Sequence, residues 1–170
     1  MSKYYSTKTY GNDRGLSCCF RQWRADHSHC STLHGYSIGI KLTFESPTLD
    51  DKNWCFDFGN LKPFKEWAEH MFDHTLLVAE DDPELEFFKQ MNNIKGGYND
   101  SGICDLRIVP SVGCESFAKL AYDKMNELLV DYKAGRIGRY PVNSDVKLTS
   151  VEVFEHNANS AIYQGSQWVV

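Results

Sequence analysis

Between His34 and Glu45 apolar and polar residues alternate: Ile38, Ile40, Leu42 and Phe44 fall on one side, Lys41, Thr43 and Glu45 on the other. A period of two held over that length dictates a strand with one buried and one wet face, so the chain must build a sheet and cover one side of it. The cover is legible in the same sequence. Leu61, Phe64, Trp67, Ala68, Met71 and Phe72 recur at helical spacing over residues 60–72, with Pro63 tolerable in the first turn. A second stripe, Phe117, Leu120, Ala121, Met125, Leu128 and Leu129, predicts a helix over residues 115–132; Gly113 marks its start and Gly135 lies just past its end.

The remaining segments fit around this frame. Residues 16–25 are aromatic, mixed in polarity and free of Gly and Pro, which suits a strand antiparallel to the one from His34, the two joined by a polar loop rich in histidine. Residues 54–58 read as a short strand after the turn signals Pro47 and Asp50-Asp51, residues 83–91 as a short helix, and the Asn- and Gly-rich residues 92–101 as a surface loop. Two closing strands, 146–154 and 161–169, flank a turn at His156-Asn157-Ala158-Asn159. Strands, helices and strands in that order predict an α+β fold, an antiparallel sheet with helices on one face. At 170 residues, residues 1–170 are expected to form a single domain.

Charge narrows the partners. The net charge is −5 and no run of basic residues occurs, so neither nucleic acid nor an anionic membrane is expected as a partner. Residues 1–12 are polar and rich in tyrosine, and no segment has the apolar length of a membrane span. Six cysteines without a CxxC pair read as free thiols in a reducing compartment, which points to the cytosol.

Four groups of residues carry potential chemistry. His27, His29 and His34 crowd into eight residues with Cys30, and neutral imidazoles beside a thiolate are donors that divalent transition metals prefer; a solvated loop with incidental histidines is the plainer alternative. Asp73-His74 follows the first long helix, where a carboxylate can orient an imidazole for general-base work, or the histidine can simply bind the last helix carbonyls. Glu155 ends an apolar strand and would be costly there without donors, which adjacent N–H groups of a guanine-like or pterin ring could supply; a plain solvent-facing strand end is the alternative. Glu115 lies in the first turn of the second long helix, a place acids favour for the helix dipole alone.

In order, these pieces resemble the 6-carboxytetrahydropterin synthase / 6-pyruvoyltetrahydropterin synthase family. Its Cys-x-x-x-His-Gly-His element is matched by Cys30-Ser-Thr-Leu-His34-Gly35, and its Asp-Phe-x-x-Leu-Lys by Asp57-Phe58-Gly-Asn-Leu61-Lys62. Its Asp-His is matched by Asp73-His74, its Ser-Glu by Cys114-Glu115, and its strand-ending Glu before Ile-Tyr by Glu155 and Ile162-Tyr163. The resemblance spans residues 16–165. It implies a T-fold subunit, a four-stranded antiparallel sheet with two helices, that joins others into a barrel as a homotrimer or homohexamer with active sites between subunits. It implies a lyase acting on 7,8-dihydroneopterin triphosphate with loss of triphosphate, the carboxytetrahydropterin branch being favoured. Cys30 would move a proton on the substrate side chain, Asp73 and His74 would act as partner relay, and Glu155 would anchor the pterin ring with Glu115 in support.

The resemblance also implies zinc on three histidines, and here the chain departs. With the alignment anchored at Phe20, the first-strand ligand falls on Arg24, a cation, and the third on Tyr36, a phenol; His34 is retained. Two repairs stay open: His27 and His29 join His34 in a rebuilt zinc site, or no metal binds and Arg24 supplies positive charge. Without zinc, a pterin-binding module is the second functional reading.

Overall fold

The computed structural model of the chain describes residues 2–165. Seven strands and three α-helices follow in the order β1 (Tyr4–Tyr10), β2 (Leu16–Phe20), β3 (His34–Ser46), α1 (Lys62–Phe72), β4 (Thr75–Ala79), α2 (Leu85–Asn93), β5 (Leu106–Val109), α3 (Cys114–Lys133), β6 (Lys147–His156) and β7 (Asn159–Gln164).

The alternating segment is the axis of the sheet. Along one edge β3 pairs first with β2, Phe20 facing His34, and then with β1, Tyr10 facing Ile40; along the other it pairs with β6. The four strands expected from the sequence are β2, β3, β6 and β7, joined antiparallel in that order, and an unexpected strand, β1, continues the β3 edge beyond β2. The sheet goes further than that expectation, because β4 and β5 extend it from β2 in parallel register.

Ile38, Ile40, Leu42, Phe44, Val151 and Val153 are fully buried beneath Phe64, Phe72, Phe117, Ala121 and Met125 of α1 and α3, the two long helices that cover this face. Burying side chains of this size stabilises by about 1.5–3 kcal/mol each, which makes this layer the main support of the fold. Helix α2 covers the other side of β4: Leu76 and Val78 pack with Phe88, while their neighbours Leu77 and Ala79 belong to the main core.

Several sequence expectations are corrected. The strand read over 16–25 ends at Phe20, because the backbone then turns, Gln22 N–H meeting the Cys30 carbonyl at 2.8 Å. Residues 54–58 form no strand; Asp50 accepts the N–H groups of Lys52 and Trp54, closing a turn, and Phe56 inserts as a loop residue stacked on Phe44 at 4.3 Å. Strand β1 arises in a segment read only as polar, and β4 and β5 in segments not read as strands. The last strand, read over 161–169, is β7 from Asn159 to Gln164; residues 166–169 of that reading lie outside the described residues.

Candidate functional site

The site is built at one end of the β2–β3–β6 ladder. Strands β2 and β3 set Phe20 opposite His34 and Cys18 opposite Tyr36, and residues paired across a ladder share a face. The rings of Phe20 and His34 are 5.1 Å apart, those of His34 and Tyr36 5.4 Å, and Tyr36 reaches toward His156 at 6.4 Å. Phe20 is anchored from beneath by an edge-on contact with Phe117 of α3 at 5.1 Å.

Glu155 arrives through an irregularity. Between Phe154 and His156 the pairing of β6 with β7 shifts, a bulge that re-aims the intervening side chain. The amide of Asn12, from the turn between β1 and β2, clamps it: Asn12 Nδ2 donates to the carbonyls of Ser37 at 2.7 Å, Glu155 at 3.2 Å and Phe154 at 3.3 Å. Ser37 Oγ returns a bond to the Asn12 carbonyl at 2.5 Å. Asn12 carried no sequence signal beyond its preference for turns.

Electrostatics tie Cys30, Tyr36, Cys114 and Glu155 together. Burial raises the phenol of Tyr36 above its ordinary value, and Glu155, Cys30 and Cys114 raise it further. The buried Cys114 thiol is pushed up to about 12, first by burial, then by the charges of Glu155 and Glu115 and by its hydrogen bond to Glu155. Tyr36 and Cys114 therefore stay protonated donors beside a carboxylate at neutral pH. Cys30 is exposed in a short 3-10 turn, its N–H bonded to Ser28 Oγ at 3.2 Å.

The segment that follows β2 is strapped to the loop after β4. Arg21 grips Asp82 with two bonds of 2.6 and 2.9 Å, and the Asp82 side chain is only 1 % exposed. Burial alone would raise the Asp82 carboxyl, but the Arg21 and Glu84 N–H bonds and the Arg21 charge hold it below its ordinary value. Trp23 Nε1 and Arg24 Nη2 both reach Asp81, at 3.1 and 2.6 Å, with the Arg24 guanidinium 4.2 Å over the Trp23 ring.

Of the other expected site residues, Asp73 and His74 are joined to each other, His74 Nδ1 to Asp73 Oδ1 at 2.6 Å, and the His74 side chain is 87 % exposed. His74 adopts a left-handed backbone (φ 57°) just past the end of α1, with its N–H bonded to the Ser17 carbonyl at 2.7 Å. Among the described residues no hydrogen bond, ion pair or ring contact connects this couple to Cys30 or Glu155 within the chain. Glu115 is exposed and lines a separate hollow of about 280 Å³ with Ser111, Lys119 and Tyr163.

The donors for the implied zinc do not converge. His27 is highly exposed, its Nδ1 3.9 Å from Asp26, and His34 Nδ1 is engaged by the Thr32 carbonyl at 2.7 Å. His27, His29 and His34 are not brought together, and no group of three His, Cys, Asp or Glu side chains placed to hold a metal occurs among the described residues. The residue across from His34 is Phe20 and not Arg24, whose guanidinium is committed to Asp81. Phe20 has no donor atom and Tyr36 is a protonated phenol, so the residues present do not fit a three-nitrogen zinc site.

Fold and site together define an α+β protein of the T-fold class, and the structural likenesses bear this out. An uncharacterized protein from Wolinella succinogenes superposes with a TM-score of 0.71 at 20 % identity, covering 97 % of this chain and 99 % of that one. The 6-pyruvoyl tetrahydropterin synthase of Plasmodium falciparum superposes with a TM-score of 0.62 at 15 % identity over the same shares. The chain belongs to the 6-pyruvoyl tetrahydropterin synthase family, whose profile matches residues 12–166. A 6-carboxy-5,6,7,8-tetrahydropterin synthase from Aquifex aeolicus is 25 % identical over 135 residues, 79 % of this chain and 75 % of that protein. No helix among the described residues is long and apolar enough to cross a membrane.

Proposed function

We propose that the chain, acting as one domain, is a lyase of the 6-carboxy-5,6,7,8-tetrahydropterin synthase type, taking 7,8-dihydroneopterin triphosphate and expelling triphosphate. The observation that supports the reading is that Cys30 and Glu155, 125 residues apart in sequence, both lie close enough to Tyr36 for their charges to raise its phenol. Glu155 accepts adjacent N–H groups of the pterin, a fork that a carboxylate matches with two oxygens. Cys30 takes a proton from the substrate side chain and a second acid–base group returns one.

Asp73 and His74 serve that second role from a neighbouring subunit. Within one chain they are linked to each other and not to Cys30, while the exposed His74 ring is free to enter a cleft formed on assembly, as a homotrimer or homohexamer would provide. Six free cysteines agree with a cytosolic setting. Arg21 and Arg24 are both committed to aspartates and so are not free within the chain to hold the triphosphate.

The second reading, a pterin-binding module without turnover, is favoured by the poor fit of the donors to zinc. One experiment separates them: triphosphate release from 7,8-dihydroneopterin triphosphate, measured beside fluorescence titration with a pterin. Release that disappears in Cys30→Ala supports the lyase; binding without release supports the module; neither binding nor release overturns both.

A further inference from the structure

Phe20, His34 and Tyr36 form a triangle whose size is informative. Phe20 lies directly across the ladder from His34, and Tyr36 is two residues along the same strand, so all three side chains leave one face of the sheet. Their ring centres are 5.1 Å (Phe20–His34), 5.4 Å (His34–Tyr36) and 6.0 Å (Phe20–Tyr36) apart. For three imidazoles on one zinc, a bond of about 2.1 Å plus about 1.1 Å from nitrogen to ring centre, opened to a tetrahedral angle, sets ring centres roughly 5 Å apart. The triangle has the spacing of a three-histidine tripod, yet two of its corners carry no ligating nitrogen.

We propose that this triangle is a metal tripod converted to an aromatic contact: the chain takes no zinc at His34, and histidines at positions 20 and 36 are sufficient to create a site there. Three observations support it. Phe20 is 3 % exposed and is held by Phe117, so its corner is packed as part of the core and not left as a vacant ligand position. A hydrogen bond donated by His34 Nδ1–H to the Thr32 carbonyl fixes the ring and leaves Nε2 directed away from it, the orientation that a backbone carbonyl imposes on a ligating histidine. Finally, Tyr36 is partly exposed at the rim, where a side-chain exchange disturbs little packing.

The inference rests on the family reading only for the identity of the metal. Its test involves no pterin, so its failure and the failure of the proposed activity are distinguishable. Cobalt(II), a zinc surrogate with visible absorption in tetrahedral sites, is titrated into the wild-type protein and into the double variant Phe20→His/Tyr36→His, with folding followed by circular dichroism. Zinc content is measured after dialysis against zinc and then buffer. The wild type is expected to show no tetrahedral cobalt spectrum and to retain no stoichiometric zinc. The double variant is expected to gain one cobalt per chain and to lose it when His34→Ala is added. One zinc per wild-type chain, lost in His34→Ala, overturns the proposal, as does a folded double variant that binds no cobalt. Because Phe20 is buried, the double variant can fail to fold. Tyr36→His alone then decides: with two nitrogens it is expected to bind cobalt more tightly than the wild type, and no gain overturns the proposal.

Discussion

Asn12 and Glu155 are 143 residues apart in sequence, and the side-chain amide of the first holds the backbone carbonyl of the second at 3.2 Å. The same amide binds Ser37, one residue past Tyr36, so a single side chain sets the bulge that aims Glu155 and ties it to β3. Three carbonyls share these two amide hydrogens, and no other described side chain donates to them.

Replacing Asn12 by alanine therefore removes a clamp and leaves carbonyls without their donor. A loss of about 1–2 kcal/mol in stability is expected from the hydrogen bonds, read as a lower urea midpoint. Pterin affinity, read by fluorescence titration, should fall with it; unchanged affinity in a folded Asn12→Ala protein would show that the bulge does not depend on this clamp.

Glu155→Gln keeps the shape and removes the charge. Weakening of pterin binding by roughly 1–3 kcal/mol is the expected cost of losing a charged hydrogen-bond acceptor, while Cys30→Ala should abolish turnover and change pterin affinity by less than about tenfold. Normal turnover by Cys30→Ala would remove the thiol from the mechanism.

His74 holds a left-handed backbone conformation that glycine adopts without a Cβ penalty, at the position past a helix end where glycine is favoured. Non-glycine residues in such regions cost about 1 kcal/mol or more and persist where function requires the side chain. His74→Gly is expected to raise the unfolding midpoint by an amount corresponding to about 1 kcal/mol and to depress turnover; a variant that is less stable and fully active would contradict both halves.

The Arg21–Asp82 pair is buried on its acidic side, so removing Arg21 strands a carboxylate. Arg21→Ala should cost about 3–5 kcal/mol, read as a lower urea midpoint at neutral pH. The pH dependence has a definite sign. Asp82 titrates below its ordinary value in the folded chain, so its contribution is present above about pH 4 and is lost as pH falls through the lower folded value. Asp82→Asn should accordingly flatten the acid limb of a stability–pH curve.

At the alkaline end the buried thiols act in the opposite direction. Cys18 and Cys114 are both pushed up to about 12, chiefly by burial, while an unfolded thiol ionises near about 8.5. Above that pH the unfolded chain sheds protons the folded chain keeps, so stability should decline steadily from about pH 8.5 upward. Urea midpoints between pH 7.5 and 10.5 that do not fall would show that these thiols ionise in the folded state.

The sequence by itself determined the elements that have a period. The alternation of β3, the stripes of α1 and α3 and the closing hairpin β6–β7 are local patterns, and each formed where its residues placed it. Short runs without a period were silent. Strands β4 and β5 lie in the parallel part of the sheet, and β4 is buried on both faces, so it reads as a plain apolar run. The order of motifs was likewise enough to suggest the family.

Only the tertiary structure decided what faces what. Phe20 meets His34 because of a pairing register between strands 14 residues apart, which no spacing rule within one strand contains. Aligning along the chain put Arg24 in that place, and the turn after Phe20 carried it off to Asp81. Asn12 became part of the site through carbonyls of two other strands, and His74 was held beside β2 by its bond to the Ser17 carbonyl. Sequence periodicity reports which side of an element is buried; the partners found there depend on register and turn geometry, which are long-range.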